Sequence, residues 1–182
     1  MAMKEEVYIS VDIEAAGPIP GEYSLLSIGA SIVGQSEVAF YAELKPLNDN
    51  AVPEALAVSK LDMKNLAATG KEAMAAMEEF RDWVRAHADG HKPVFVGFNA
   101  SFDWSFVNWY FHKFLGENPF GFSALDIKAY YLGFSGCKWG QTTSSHLPQE
   151  FQPSQPLNHN ALDDAKAQGK IFEELLKVSG QR

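Results

Sequence analysis

Residues 7–14 read Val-Tyr-Ile-Ser-Val-Asp-Ile-Glu and run directly into Ala-Ala-Gly-Pro. A β-branched, apolar run of this kind is a strand, and Gly17-Pro18 is where it has to end. Side chains two apart on a strand share a face, so Asp12 and Glu14 project together. Two carboxylates side by side at the end of an apolar strand repel each other and lose hydration. A divalent cation is the usual compensation. The plainer alternative is a pair of acids capping the strand end in water.

Further along, residues 25–33 and 37–44 read as two strands joined at Gly34-Gln35-Ser36, which predicts a hairpin. Residues 48–53 form a loop, with Pro53 placed to start a short helix. Residues 71–88 carry Ala73, Ala76, Met77, Phe80, Val84 and His87 at helical spacing, a stripe for packing on a sheet. A short buried strand over 94–98, a helix over 102–115 and a short strand over 122–127 follow. Residues 133–158 are rich in Gly, Ser, Gln and Pro, and only 147–151 suggest a helical turn. A segment of this length without regular structure is usually functional or mobile. The last helix spans 160–178. Strands first, then strands alternating with helices, predict a single α/β domain over 1–182, with an antiparallel hairpin on a partly parallel sheet.

Two helices carry further acids. Asp103 heads a stripe containing Phe106, Val107, Tyr110, Phe111 and Phe114, so it faces inward; an acid in a first helical turn also complements the helix dipole, and both readings stand. In the last helix Ala161, Ala165, Gln168, Phe172, Leu175 and Leu176 form the buried stripe, and Asp164 falls inside it. Asp163 lines up instead with Lys166, Ala167, Lys170 and Glu174, a solvated face with i,i+3 ion pairs available. His159 lies just before this helix, where a neutral imidazole can accept a proton near pH 7. The other four histidines read as structural or solvated. Four acids converging from one strand and two helices can hold two metal ions roughly 3.5–4 Å apart, one to activate water and one to stabilise a leaving oxygen.

Composition sets bounds. The apolar fraction is 46%, enough for a packed core. The single cysteine, Cys137, has no internal partner, and no apolar segment reads as a signal peptide or a membrane span, so the expected compartment is the cytoplasm. The net charge of −8 runs against a tight grip on long duplexes. Cations bound at an acidic site would supply positive potential where phosphate must sit.

Three motifs in order carry a resemblance: Val11-Asp12-Ile13-Glu14-Ala15-Ala16-Gly17 with Leu25-Leu26-Ser27-Ile28-Gly29; Gly97-Phe98-Asn99-Ala100-Ser101-Phe102-Asp103; and His159-Asn160-Ala161-Leu162-Asp163-Asp164-Ala165. The chain resembles the DEDDh 3′→5′ exonucleases, the group of ribonuclease T, oligoribonuclease and the polymerase III proofreading subunit. The resemblance implies a ribonuclease H-like mixed sheet of about five strands flanked by helices. It also implies that Asp12, Glu14, Asp103 and Asp164 bind two Mg²⁺ or Mn²⁺ ions and that His159 is the general base. The substrate would be the 3′ end of a single-stranded or short nucleic acid, released as nucleoside 5′-monophosphates. The terminal nucleotide would lie against the backbone of Ala15 and Ala16 and against Phe102, which otherwise is plain core. The ribonuclease T and oligoribonuclease likeness leaves a homodimer open. Ala16 departs from the threonine frequent there, which bears on substrate preference. Trp139 and Lys138 could touch substrate or belong to an ordinary loop. Two other readings compete: a metal-dependent phosphatase, which wants Asp where Glu14 stands, and a catalytically idle nucleic-acid-binding module of the same fold.

Overall fold

The computed structural model describes residues 5–152 and 158–180. Its strands are β1 (Glu6–Ala15), β2 (Leu25–Ile32), β3 (Gln35–Glu43), β4 (Lys92–Gly97) and β5 (Ala124–Asp126). They form one five-stranded sheet in the order β3-β2-β1-β4-β5. β2 is antiparallel to β1 and β3, and β4 is parallel to β1 and β5. Parallel neighbours need crossover connections. α1 (Pro53–Ser59), α2 (Met63–Thr69) and α3 (Ala73–Ala88) lead from β3 to β4, and α4 (Ala100–Leu115) leads from β4 to β5. α5 (Ile127–Ser135) and α6 (Ala161–Ser179) follow. This is the mixed α/β sheet that the sequence predicts. No helix among the described residues is long and apolar enough to cross a membrane.

The period of two along β1 and β2 sorts side chains onto two unlike faces. Ile9, Val11 and Ile13 of β1, with Ile28 and Ala30 of β2, pack into a core with Phe80 of α3 and Phe106, Tyr110 and Phe111 of α4. Each large side chain buried there contributes about 1.5–3 kcal/mol. The alternate residues, Ser10, Ser27, Gly29 and Ser31, are small, and α6 lies over them. A Cβ on Gly29 would fall 2.2 Å from the carbonyl carbon of Ala161, and one on Gly169 would fall 3.0 Å from the Cβ of Ser10. The small face lets the backbone of α6 come down onto the sheet. Its C-terminal half then returns to bulk, with Phe172 edge-on to Tyr8 and Tyr130.

Several boundaries differ from the sequence reading. The hairpin turns at Val33-Gly34, with Gly34 at φ 84°, so β3 begins at Gln35 rather than at 37. Ala88, not His87, ends the buried stripe of α3; the exposed His87 ring stacks at a tilt against Trp83 instead. α2 buries only Leu66, so it has no stripe to read. α5 buries only Ile127 and Tyr131 and contains Gly133, which hid it among turn residues. β5 is confined to three residues because α5 starts directly after it. Residues 133–152 contain the end of α5 and three short 3-10 turns, at Trp139–Gln141, Ser144–His146 and Gln149–Phe151. Residues 153–157 lie outside the described residues.

Candidate active site

The site forms at the edge of the sheet where β1 outruns its parallel neighbour. β4 pairs with β1 only as far as Ser10, opposite Val96. The N–H of Ile13 is therefore free to donate to Asp103 Oδ1 at 3.1 Å. That bond ties the first turn of α4 to the strand between Asp12 and Glu14. The head of α4 is itself fixed from the next strand. Asn99 takes the left-handed conformation, φ 71°, and Ala100 N–H donates to Asp126 Oδ2 at 2.6 Å. The other oxygen of Asp126 accepts from Ala129 at 2.7 Å and caps α5. One carboxylate thus joins the starts of two helices.

Asp12 faces α6, opposite Gly29 in the β1–β2 ladder. Gln168 reaches over from α6: its Nε2 donates to Asp12 Oδ1 at 3.2 Å and to the Val11 carbonyl at 3.1 Å, and its Oε1 accepts from Phe98 N–H. Asp164 is buried in the first turn of α6, whereas Asp163 is exposed, the contrast that helical spacing predicts. The turn before α6 is folded around the inward acid. Asn158 N–H donates to Asp164 Oδ1 at 3.2 Å and His159 N–H to Oδ2 at 3.1 Å. The Asn160 side chain caps the helix by accepting from Leu162 and Asp163. These bonds hold His159 at φ 61°. Its exposed ring, Glu14 and Asp164 each present an atom within 4.8 Å of the others.

Burial of so many acids moves their proton affinities upward. Asp12 lies well above the ordinary carboxylate range because it is desolvated and then because Asp103, Asp164 and Glu14 surround it. Glu14 is pushed up to about 7, by burial and then by Asp164. Burial lifts Asp103 to about 8, against the pull of backbone N–H donors that include Ile13; Glu14 and Asp126 add to the rise. Asp164 is raised by burial, with the N–H groups of Asn158 and His159 opposing. Ionising all four near neutral pH needs a compensating positive charge. The donors are hard carboxylate oxygens with one imidazole beside them, and this set suits a divalent cation.

The expected substrate contacts fare unequally. Phe102 is 37% exposed beside Asp103, with its ring tilted against Phe106. Ala15 is buried. Ala16 is buried among Leu26 and Leu66, its N–H donates to Ser24 and its carbonyl accepts from Val52. Both backbone polar groups of Ala16 are thus paired within the protein, and the β1–β2 register shifts between Glu14 and Ala15. Sequence reasoning missed two polar contacts that shape the site. Gln168 was legible only as a polar residue inside an apolar stripe. Asp126 carried the signal of an acid between a strand and a helix.

Comparison with known proteins places a chain of this sheet order and acid cluster among the 3′→5′ exonucleases. A family model described as a 3′-5′ exoribonuclease Rv2179c-like domain matches residues 7–176, and the chain belongs to that family. It is 42% identical over 183 residues to the 3′-5′ DNA exonuclease Cap18 of Escherichia coli, covering 100% of this chain and 98% of that protein. Among solved structures, the fold is similar to the nuclease domain of 3′hExo, a DEDDh family member bound to rAMP. That match has a TM-score of 0.76 and 13% identity, over 94% of this chain and 92% of that one. It is also similar to E. coli exonuclease I in its ssDNA complex, with a TM-score of 0.69 and 20% identity, over 98% of this chain and 42% of that one. These relatives favour the nuclease over the phosphatase and over the idle binding module.

Proposed function

We propose that this exonuclease shortens single-stranded 3′ ends one nucleotide at a time, with DNA the preferred strand. The convergence of Glu14, Asp164 and the His159 ring carries the reading, because it puts a proton acceptor beside paired carboxylates. In this reading Asp12, Glu14, Asp103 and Asp164 hold two Mg²⁺ or Mn²⁺ ions. When bound, such ions lower the proton affinity of the attacking water and offset charge on the departing 3′ oxygen. His159 takes the proton of that water as its oxygen attacks phosphorus. The P–O3′ bond breaks, the departing 3′ oxygen takes a proton from solvent to become the 3′ hydroxyl of the shortened strand, and a nucleoside 5′-monophosphate leaves. The exposed imidazole then returns its proton to solvent. Phe102 offers a sequence-tolerant stack for the terminal base, a contact worth about 1–3 kcal/mol.

The preference for DNA rests on the 42% identical relative, a DNA exonuclease by name. RNA is the second reading, favoured by the exoribonuclease description of the family model. Matched 5′-labelled DNA and RNA strands, single and duplex, decide between them. Stepwise shortening with Mn²⁺ and none with EDTA is expected, faster on single-stranded DNA. Cleavage of a circular strand would overturn the exonuclease reading, and faster shortening of RNA would reverse the preference.

A further inference from the structure

The segment between α5 and His159 carries an exposed aromatic ring that the chemistry above does not use. Trp139 is 54% exposed, and the Nζ of Lys128 lies 4.5 Å from its ring centroid. Lys128 stands in the first turn of α5, two residues after Asp126, the carboxylate that also holds the head of α4. The start of α5 is therefore at the sheet edge where the catalytic acids gather. Trp139 brings the chain back to that edge after α5 has run away from it. Lys138 is exposed next to the ring.

The lysines beside this ring are not committed to carboxylates. Lys45, Lys71, Lys92, Lys170 and Lys177 are all in ion pairs. Lys128 and Lys138, like Lys60, Lys64, Lys113 and Lys166, are in none among the described residues, and they alone of these flank the exposed indole of Trp139. In a chain of net charge −8, two uncompensated lysines around an exposed indole at the lip of the site complement a phosphodiester backbone. An indole with an accessible face can take any base, because every base has a π-face.

We propose that Trp139, Lys128 and Lys138 form a subsite for the single strand on the 5′ side of the nucleotide being removed. The indole stacks on an upstream base and the two lysines meet its phosphates. Phe102 belongs to the α4 layer and Trp139 to the α5 side, so the terminal and upstream nucleotides are gripped from opposite faces of the sheet. The subsite rests on the exonuclease reading and adds a dependence on strand length to it.

Length dependence tests it. With Mn²⁺ and 5′-labelled dT2 and dT10, Trp139→Ala should raise KM for dT10 about 5- to 100-fold while kcat stays within about twofold, as expected when one base stack is lost. KM for dT2 should not change, and Trp139→Phe should restore most of the affinity for dT10. Lys128→Gln should weaken dT10 binding and reduce the slope of log KM against log salt by about 0.7, one phosphate contact on a single strand. Equal effects on dT2 and dT10, or no effect on dT10, would overturn the subsite. Should the wild type cleave neither strand, the exonuclease reading falls. Anisotropy of labelled dT10 then still judges the subsite, which needs weaker binding by Trp139→Ala and is overturned by equal binding.

Discussion

The two faces of the sheet are packed on opposite principles. Toward α3 and α4 the sheet meets large rings, with Phe80 stacked on Phe40 and Phe111 and edge contacts between Phe95 and Phe120. Toward the start of α6 it meets Ser10, Gly29, Ser31, Ala161, Ala165 and Gly169, and the helix backbone rides directly on the strands. Bulk on the first face supplies stability over a broad area and tolerates repacking. The lack of bulk on the second face sets a distance. It brings Asp164 and Gln168 to Asp12 and Glu14, so the same change in volume should have different consequences on the two sides.

The largest effect belongs to the acid that the close face delivers. Asp164→Asn should abolish turnover and weaken Mn²⁺ binding, measured by titration and by nuclease rate. A variant with wild-type turnover would remove Asp164 from the chemistry. Gly29→Ala comes next. Its methyl has only the backbone of Ala161 to push against, so α6 must shift, at about 1–3 kcal/mol of stability, with turnover falling by much more than the melting curve explains. On the other face Phe111→Leu should cost a similar amount of stability and leave turnover of the folded protein nearly intact. If loss of turnover simply follows loss of stability in both variants, the contrast between the faces is wrong.

Gln168→Leu sharpens the comparison within the close face. It leaves the Phe98 N–H without an acceptor, costing about 1–3 kcal/mol. It also frees Asp12, so Mn²⁺ affinity should drop about 10–100-fold. Unchanged affinity in the folded fraction would reduce Gln168 to a packing residue. The acids themselves predict a pH effect. Glu14 is raised from 4.5 to about 7, so the fold favours its protonated form. In EDTA that contribution is fully present below about pH 4.5 and is lost as pH rises through 7. Asp103 continues the trend toward about 8. Thermal melts across pH 4–9 should therefore decline with pH in EDTA, and added Mn²⁺ should flatten the decline; a flat EDTA profile would contradict the buried-acid account. The smallest effect is expected at the neighbouring acid. Asp163→Asn alters an exposed charge and one bond from the Asn158 amide, so stability should move by about 0.5 kcal/mol or less and turnover by little.

Much of this was legible because periodicity speaks directly to orientation. Alternation in β1 put Asp12 and Glu14 together, and the stripe of α6 separated Asp164 from Asp163. Local signals failed where an element buries too little to leave a period, as in α2 with Leu66 alone. They also failed where the informative contact is long-range. Nothing near Ala16 in sequence says that Val52 will close over its carbonyl, and nothing near Gln168 says that its amide will span β1 and the end of β4. Gly29 is the intermediate case: it stood inside a motif, but its reason, the approach of Ala161, exists only in three dimensions.

The turn before α6 has a consequence for how such an enzyme diversifies. His159 is fastened by its own backbone N–H to Asp164 in the first turn of the helix that follows it. A substitution in the 3-10 turns at Trp139–Gln141, Ser144–His146 or Gln149–Phe151 leaves that bond, and the station of the ring, in place. Sites for new strands can therefore arise in those turns while the cutting geometry is inherited from the helix.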